Sequence, residues 1–155
     1  MKPECWNESG IARARELRAE FDRDPGATKQ KILDELAEYY FFHNIEVVPG
    51  IKTSGFHWVD PIVQSTLDAC ASIDFRDKRV LDVGCRDGDM SLFAEAKRAR
   101  EIVAVDSDPS PGLVNFVIPF RNSIIQPLEG NVNYLDRLGI GQFDIIFCCG
   151  LLYHL

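Results

Sequence analysis

The chain has 155 residues, 46% of them hydrophobic and 26% charged, with 17 basic and 24 acidic side chains and a formal net charge of −7. This is the composition of one ordinary globular domain with a single core, and the acidic balance argues against a large nucleic-acid footprint, which needs a concentrated basic face. No apolar stretch is long enough to span a bilayer and the first residues lack the basic and apolar regions of a signal peptide, so a cytoplasmic protein without membrane association is expected.

In chain order, Ile11, Ala14, Leu17 and Phe21 recur at helical spacing between Ser9 and Arg23, which predicts an amphipathic helix ended by Asp24-Pro25-Gly26. A second helix is expected from Thr28, with Ile32, Leu33, Leu36 and Tyr40 facing inward. The interleaved acids and bases of the first helix read as a solvated face. Phe42 to Val48 looks extended and Pro49-Gly50 turns it. His43 has two readings, a packed imidazole bonded to backbone or a side chain at a pocket. Lys52, Phe56, His57 and Trp58 follow in a loop. Asp60-Pro61 then has the chemistry of a helix start, with Asp60 as N-cap and Ile62, Val63, Thr66, Leu67 and Cys70 along the helix.

Val80, Leu81 and Val83 form a short apolar run, read as a buried strand, and Gly84 and Gly88 open the turn into the next amphipathic segment. Glycine permits positive φ and close approach of a ligand, and the first-turn N–H groups of the following helix point into the same space. Glu101 to Asp106 is a second apolar strand ending on a carboxylate, about 20 residues beyond the glycine turn, the spacing of a ribose-binding acid. A nucleoside-containing ligand follows.

Beyond Asp106, the segment Leu113 to Gln126 is expected to be a crossover helix kinked or split by Pro119, with Asn131 to Leu135 as the third strand and its loop. Phe143 to Cys149 is apolar on both faces, the pattern of a central strand in a parallel sheet. The five cysteines, Cys5, Cys70, Cys85, Cys148 and Cys149, are odd in number and include no C-x-x-C pair. They read as reduced, buried thiols, with no metal site.

Asp82-x-Gly84-x-Arg86-x-Gly88, preceded by Val80-Leu81, resembles motif I of the class I S-adenosylmethionine-dependent methyltransferases, and it lacks the G-x-G-x-x-G of a dinucleotide fold. Phe143 to Leu155 is similar to the fourth-strand motif of these enzymes in its "GVLYH" form. Tyr40 to Glu46 and Pro49 to Gly55 are similar to the segment before the catalytic domain in relatives of the tRNA uridine-34 5-oxyacetic acid methyltransferase.

The resemblance implies an α/β, Rossmann-like methyltransferase sheet, incomplete with strands in the order 3-2-1-4, after an N-terminal helical and loop segment. That segment would be residues 1–59 and the N-terminal half of the cofactor-binding domain residues 60–155. Asp82, Gly84, Cys85 and Gly88 would lie under the methionine part of S-adenosylmethionine, with Arg86 in the same loop, Asp106 at the ribose, and Gly150 and Tyr153 on the transfer side. Asn133 or Asp136 would contact adenine, and the loop of Lys52, Phe56, His57 and Trp58 would fold over the cofactor. A carboxylated cofactor is used by that relative, but Tyr153 by itself does not establish one here. The acceptor would be a small molecule or a tRNA wobble uridine, and no general base is named.

Arg86 replaces the usual middle glycine and either points away, leaving its N–H on the loop, or blocks the site. A non-catalytic cofactor-binding module, an inactive truncated methyltransferase and a nicotinamide-dependent oxidoreductase are the alternatives. Measured against the seven-stranded family sheet the chain reads as truncated after its fourth strand, whose bare edge would invite self-association.

Overall fold

The computed structural model describes residues 2–151. Helix α1 (Glu8–Arg23) starts at Asn7, whose side-chain oxygen accepts from the Ser9 and Gly10 N–H groups, and it ends at Asp24. Asp24 serves both sides of the corner: its N–H donates to the Glu20 carbonyl, and its carboxylate accepts from the Ala27 N–H to open α2 (Pro25–Ala37). The second helix therefore starts three residues before the expected Thr28, because proline suits a first helical position that has no N–H to satisfy. A short antiparallel ribbon follows, β1 (Glu46–Val48) and β2 (Ile51–Lys52), turned by Pro49-Gly50 with Gly50 at φ +78°. The extended strand expected from Phe42 is confined to these last three residues, and Lys52 belongs to β2.

Helix α3 (Asp60–Ala69) differs from expectation at its start and on its faces. Val59 is the capping position and no side chain caps it, while Asp60 is already helical and accepts instead from the Asn44 side chain at 2.9 Å. None of its residues is fully buried and Ile62 is 60% exposed.

The main sheet is parallel, in the order β5-β4-β3-β6, formed by β3 (Arg79–Val83), β4 (Glu101–Asp106), β5 (Ile125–Glu129) and β6 (Ile145–Phe147). β3 and β4 are the central strands, and their apolar runs are buried accordingly. Helix α4 (Asp89–Ala96) connects them. The second crossover is a π-helical turn, Leu113–Val117, continued by α5 (Ile118–Arg121), with Pro119 just inside the α-helical part. It stops at Asn122, which is left-handed at φ 50°. The expected helix to Gln126 thus overran into β5, and the expected third strand at Asn131–Leu135 lies in a 3-10 segment, Val132–Arg137. β6 is an end strand of the described sheet, and Ile146 on it is 61% exposed, against the reading of a strand buried on both faces.

One core cluster contains Ala14 and Leu17 of α1, Ile32 of α2, Val47 of β1, Val80 of β3, Phe116 and Phe120 of the crossover, and Phe147 of β6. Asn115, buried in the π turn, accepts from the Asn7 N–H and donates to the Cys5 carbonyl, tying the start of α1 to the crossover. Among the described residues no helix is long and apolar enough to cross a membrane.

Candidate functional site

The turn after β3 lies at the carboxyl ends of β3 and β4, where open parallel sheets bind ligands. The Gly84 N–H donates to the Val105 carbonyl at 2.8 Å, and Gly84 and Gly88 have φ of +75° and +86°. A Cβ on Gly88 would stand 2.9 Å from the Leu113 side chain. Both glycines are therefore required by conformation, and Gly88 by packing as well.

Two cavities meet at Gly84. The smaller, about 210 Å³, is lined by Val105, Asp106, Ser107, Gly130, Asn131 and Asn133 among others. The larger, about 380 Å³, is lined by Phe42, His43, Trp58, Ile62, Asp82, Cys85, Asp89 and Gly150 among others. The sequence-predicted Asp82, Gly84, Cys85, Asp106 and Gly150 are thus brought to one continuous cleft, and Asn133 joins them while Asp136 is not among the lining residues. Tyr153 lies outside the described residues.

Each Asp106 carboxylate oxygen already holds one loop N–H: Oδ2 accepts from Arg86 at 2.8 Å and Oδ1 from Asp108 at 2.9 Å. A carboxylate has about four lone-pair sites, so acceptor capacity for hydroxyl groups remains. Arg86, at φ +39°, sends its guanidinium onto Asp108, where Nη1 meets the Asp108 carbonyl at 2.7 Å and its carboxylate at 2.5 Å. Its backbone stays on the loop and its side chain is held away from the cleft, so the blocking alternative does not occur.

Asp82 is buried beneath the loop and accepts from the Ser91 hydroxyl at 2.6 Å. Burial pushes its carboxyl up to about 6, against the pull of the Ser91 hydrogen bond. Burial also raises the Cys85 thiol well above its ordinary range, which favours its protonated form. Cys85 is the one cysteine that is fully buried. Cys148 and Cys149 are exposed and Cys5 and Cys70 half-buried, so the expectation of five buried thiols is corrected, although all five are unpaired. Among the described residues no cluster of His, Cys, Asp and Glu is arranged to hold a metal ion.

Asp87 and Asp89 escaped notice as sequence features, though both stand in the glycine motif. Asp87 is fully buried, and its Oδ2 accepts from the backbone N–H groups of Phe42 and His43 at 2.7 and 2.9 Å. The His43 ring lies with Nδ1 2.6 Å from Asp89 Oδ2 and 3.4 Å from Asp87 Oδ2. Burial alone would lower the His43 pKa, but the Asp89 contact and the charges of Asp89, Asp87 and Asp60 outweigh it and raise it. The cover is completed by an aromatic cluster in which Phe42 packs edge-on against Phe56 and Trp58. Gly55 permits it, since a Cβ there would fall 2.3 Å from the His43 backbone. A cleft lined with carboxylates and closed by aromatic rings suits a cationic ligand that carries hydroxyl groups.

Comparison with known proteins agrees with this geometry. The chain matches the family described as "Methyltransferase domain" over residues 56–155. It is similar to ribosomal protein L11 methyltransferase of Prochlorococcus marinus (strain MIT 9215), 33% identical over 67% of this chain and 35% of that one. The L11 methyltransferase of Psychrobacter arcticus is likewise 33% identical, over 56% of this chain and 27% of its own. The chain spans about a third of the length of these curated relatives. Among solved structures it shares the fold of the N-terminal domain of EvdMO1, determined in the presence of SAH and D-fucose, with a TM-score of 0.54 and 20% identity over 85% of this chain and 55% of that one.

The L11 methyltransferases among the relatives correct the subgroup suggested by the sequence, that of the tRNA uridine-34 5-oxyacetic acid methyltransferase. The reading of a chain truncated after its fourth strand, measured against the seven-stranded family sheet, is corrected as well: β5, the 3-10 segment and β6 follow β4. With the matched region covering the glycine turn, the acid at the end of β4 and all of β6, the chain belongs to the methyltransferase domain family.

Proposed function

We propose that this chain binds S-adenosylmethionine and supports transfer of its methyl group to an acceptor not yet assigned. The observation that carries this reading is the pair of cavities meeting at Gly84, with Asp106 in the smaller and Asp82 and Gly150 in the larger. Asp106 would accept from the ribose hydroxyls, Asn133 would stand beside the base, and Gly84, Cys85 and Gly88 would form the floor below the methionine part. Arg86 contributes its backbone alone. When bound, the cofactor supplies an electrophilic methyl group, and the chain's own task is to align it and exclude water.

Asp82 and Asp89 line the larger cavity, and among the described residues no Lys or Arg lines it. That supports the unmodified sulfonium cofactor over a carboxylated form, whose added negative charge would face those acids. Residues 60–155 would supply the binding floor and residues 1–59 the cover, through Phe42 and His43. The test is calorimetric titration with S-adenosylhomocysteine of the wild-type chain and of Asp106→Asn. The variant should bind at least about tenfold more weakly, as expected for losing hydrogen bonds to a charged acceptor. A folded wild-type chain that does not bind overturns the proposal.

A further inference from the structure

Among the described residues the larger cavity is lined by one imidazole, that of His43. Asp89 Oδ2 stands 2.6 Å from His43 Nδ1, an ion-pair distance without hydrogen-bond alignment, and the side chain is about one fifth exposed. Asp89, the first residue of α4, is itself oriented by the glycine turn, and the His43 backbone is pinned by Asp87. The group thus has the two parts a proton acceptor requires, an imidazole on the cavity wall and a carboxylate within ion-pair distance of its Nδ1. The same cavity is lined by Asp82, Gly84 and Gly150, where the methionine part and its methyl group would lie.

We propose that His43, oriented by Asp89, takes the proton from the O–H or N–H nucleophile of the methyl acceptor, which enters beneath Trp58 and Ile62. The inference rests on the cofactor reading above and deepens it. The proton leaves the nucleophile for Nε2, the freed electron pair forms the bond to the methyl carbon, and the sulfur keeps the pair of the bond that breaks. No oxidant, reductant or metal is needed.

The charged and titratable groups facing His43 are Asp87 and Asp89 at the head of α4, Asp60 of α3 and Asp82 of β3. Glu46 of β1, Lys52 of β2 and Arg121 of α5 line a separate neighbouring cavity that His43 and Asp89 also border. Without ligand the neighbouring acids favour the imidazolium, which cannot accept a proton. A sulfonium placed in the larger cavity opposes them and favours the neutral ring, so that the cofactor would arm the base as it binds.

S-adenosylmethionine and S-adenosylhomocysteine differ only in the methyl group and its charge. The experiment is a ¹⁵N-histidine NMR titration of the chain in the presence of each, with affinities measured by calorimetry on the same sample. His43→Gln identifies the resonance. Should that variant not fold, His57→Gln with His154→Gln leaves His43 as the sole imidazole of three. The expected result is a His43 midpoint lower by about half a pH unit or more with S-adenosylmethionine than with S-adenosylhomocysteine, and a neutral form protonated at Nδ1. Both ligands binding with coincident midpoints, or a neutral form protonated at Nε2, would overturn the assignment of His43 alone. Neither ligand binding would overturn the cofactor reading and this inference together.

Discussion

At the scale of single residues, the site holds two titrating groups whose pKa values are raised for opposite reasons. Asp82 is raised to about 6 by burial, so the folded protein favours its neutral form. Its contribution to stability is complete below the ordinary 3.8 and is lost as pH rises to about 6. The gap corresponds to about 3 kcal/mol as an upper bound. Asp82→Asn keeps an acceptor for the Ser91 hydroxyl without the buried charge, and it should stabilise the chain by a few kcal/mol at pH 8, with the gain gone by about pH 4. Urea midpoints across that range would check it, and a flat difference would mean that the carboxylate stays neutral or hydrated. His43 is raised because carboxylates surround it, so its stabilising ion pair with Asp89 is full below about 6.5 and is lost as pH rises through the higher folded value. His43→Gln should therefore cost stability at pH 6 and progressively less above pH 7, as thermal unfolding at the two pH values would show. The placement of Gly84 and Asp106 at the cavities was legible from spacing, and that of Asp82 from the resemblance to motif I. The disposition of Arg86 was not, because it depends on Asp108 taking the guanidinium, a contact between two loops.

At the scale of elements, regular hydrophobic periodicity located α1, β3 and β4, and failed where two features competed. Apolar residues recur on both sides of Arg121-Asn122-Ser123, from Leu113 to Phe120 and again at Ile124 and Ile125, so one helix was expected over a crossover and the strand beyond it. The divider is Asn122, whose left-handed conformation ends α5. Pro127, which counts against a central strand, is tolerated because β5 is an end strand of the described sheet. The close packing of the cover on the loop below it was also invisible, since it depends on backbone approaching backbone at Gly55. Gly55→Ala would force its Cβ into the His43 carbonyl region and should destabilise the chain by about 2–4 kcal/mol, in the range of overpacked, strained sites. Chemical denaturation measures this directly. A change below about 0.5 kcal/mol, the level of an ordinary surface substitution, would show that the cover shifts freely.

At the scale of the whole molecule, the N-terminal helices and the sheet share one apolar core, and the polar joint between them is Asp87. Leu17 and Ile32 from the first two helices are buried in the same cluster as Phe116, Val80 and Phe147. That continuity was hidden in the sequence, where the family resemblance suggested residues 1–59 as a separate segment and nothing marked Phe116 and Phe120 as the surface beneath α1. Asp87 joins the two parts at the site: it is fully buried, and both N–H groups it accepts belong to the cover, at Phe42 and His43. Asp87→Ala would leave those two donors without their acceptor, at about 1–3 kcal/mol for each unsatisfied buried group. The shared core should nevertheless hold the cover against the sheet, so the variant is expected to unfold at lower urea in a single transition. Trp6 and Trp58 both lie in the N-terminal part, whereas the far-ultraviolet circular dichroism of the whole chain also includes the sheet. The two signals should therefore coincide in the wild type and remain coincident in Asp87→Ala at a reduced midpoint. A tryptophan transition that precedes the loss of secondary structure would mean that the cover detaches on its own, and the aromatic wall over the cleft would then be a mobile lid instead of part of the fold.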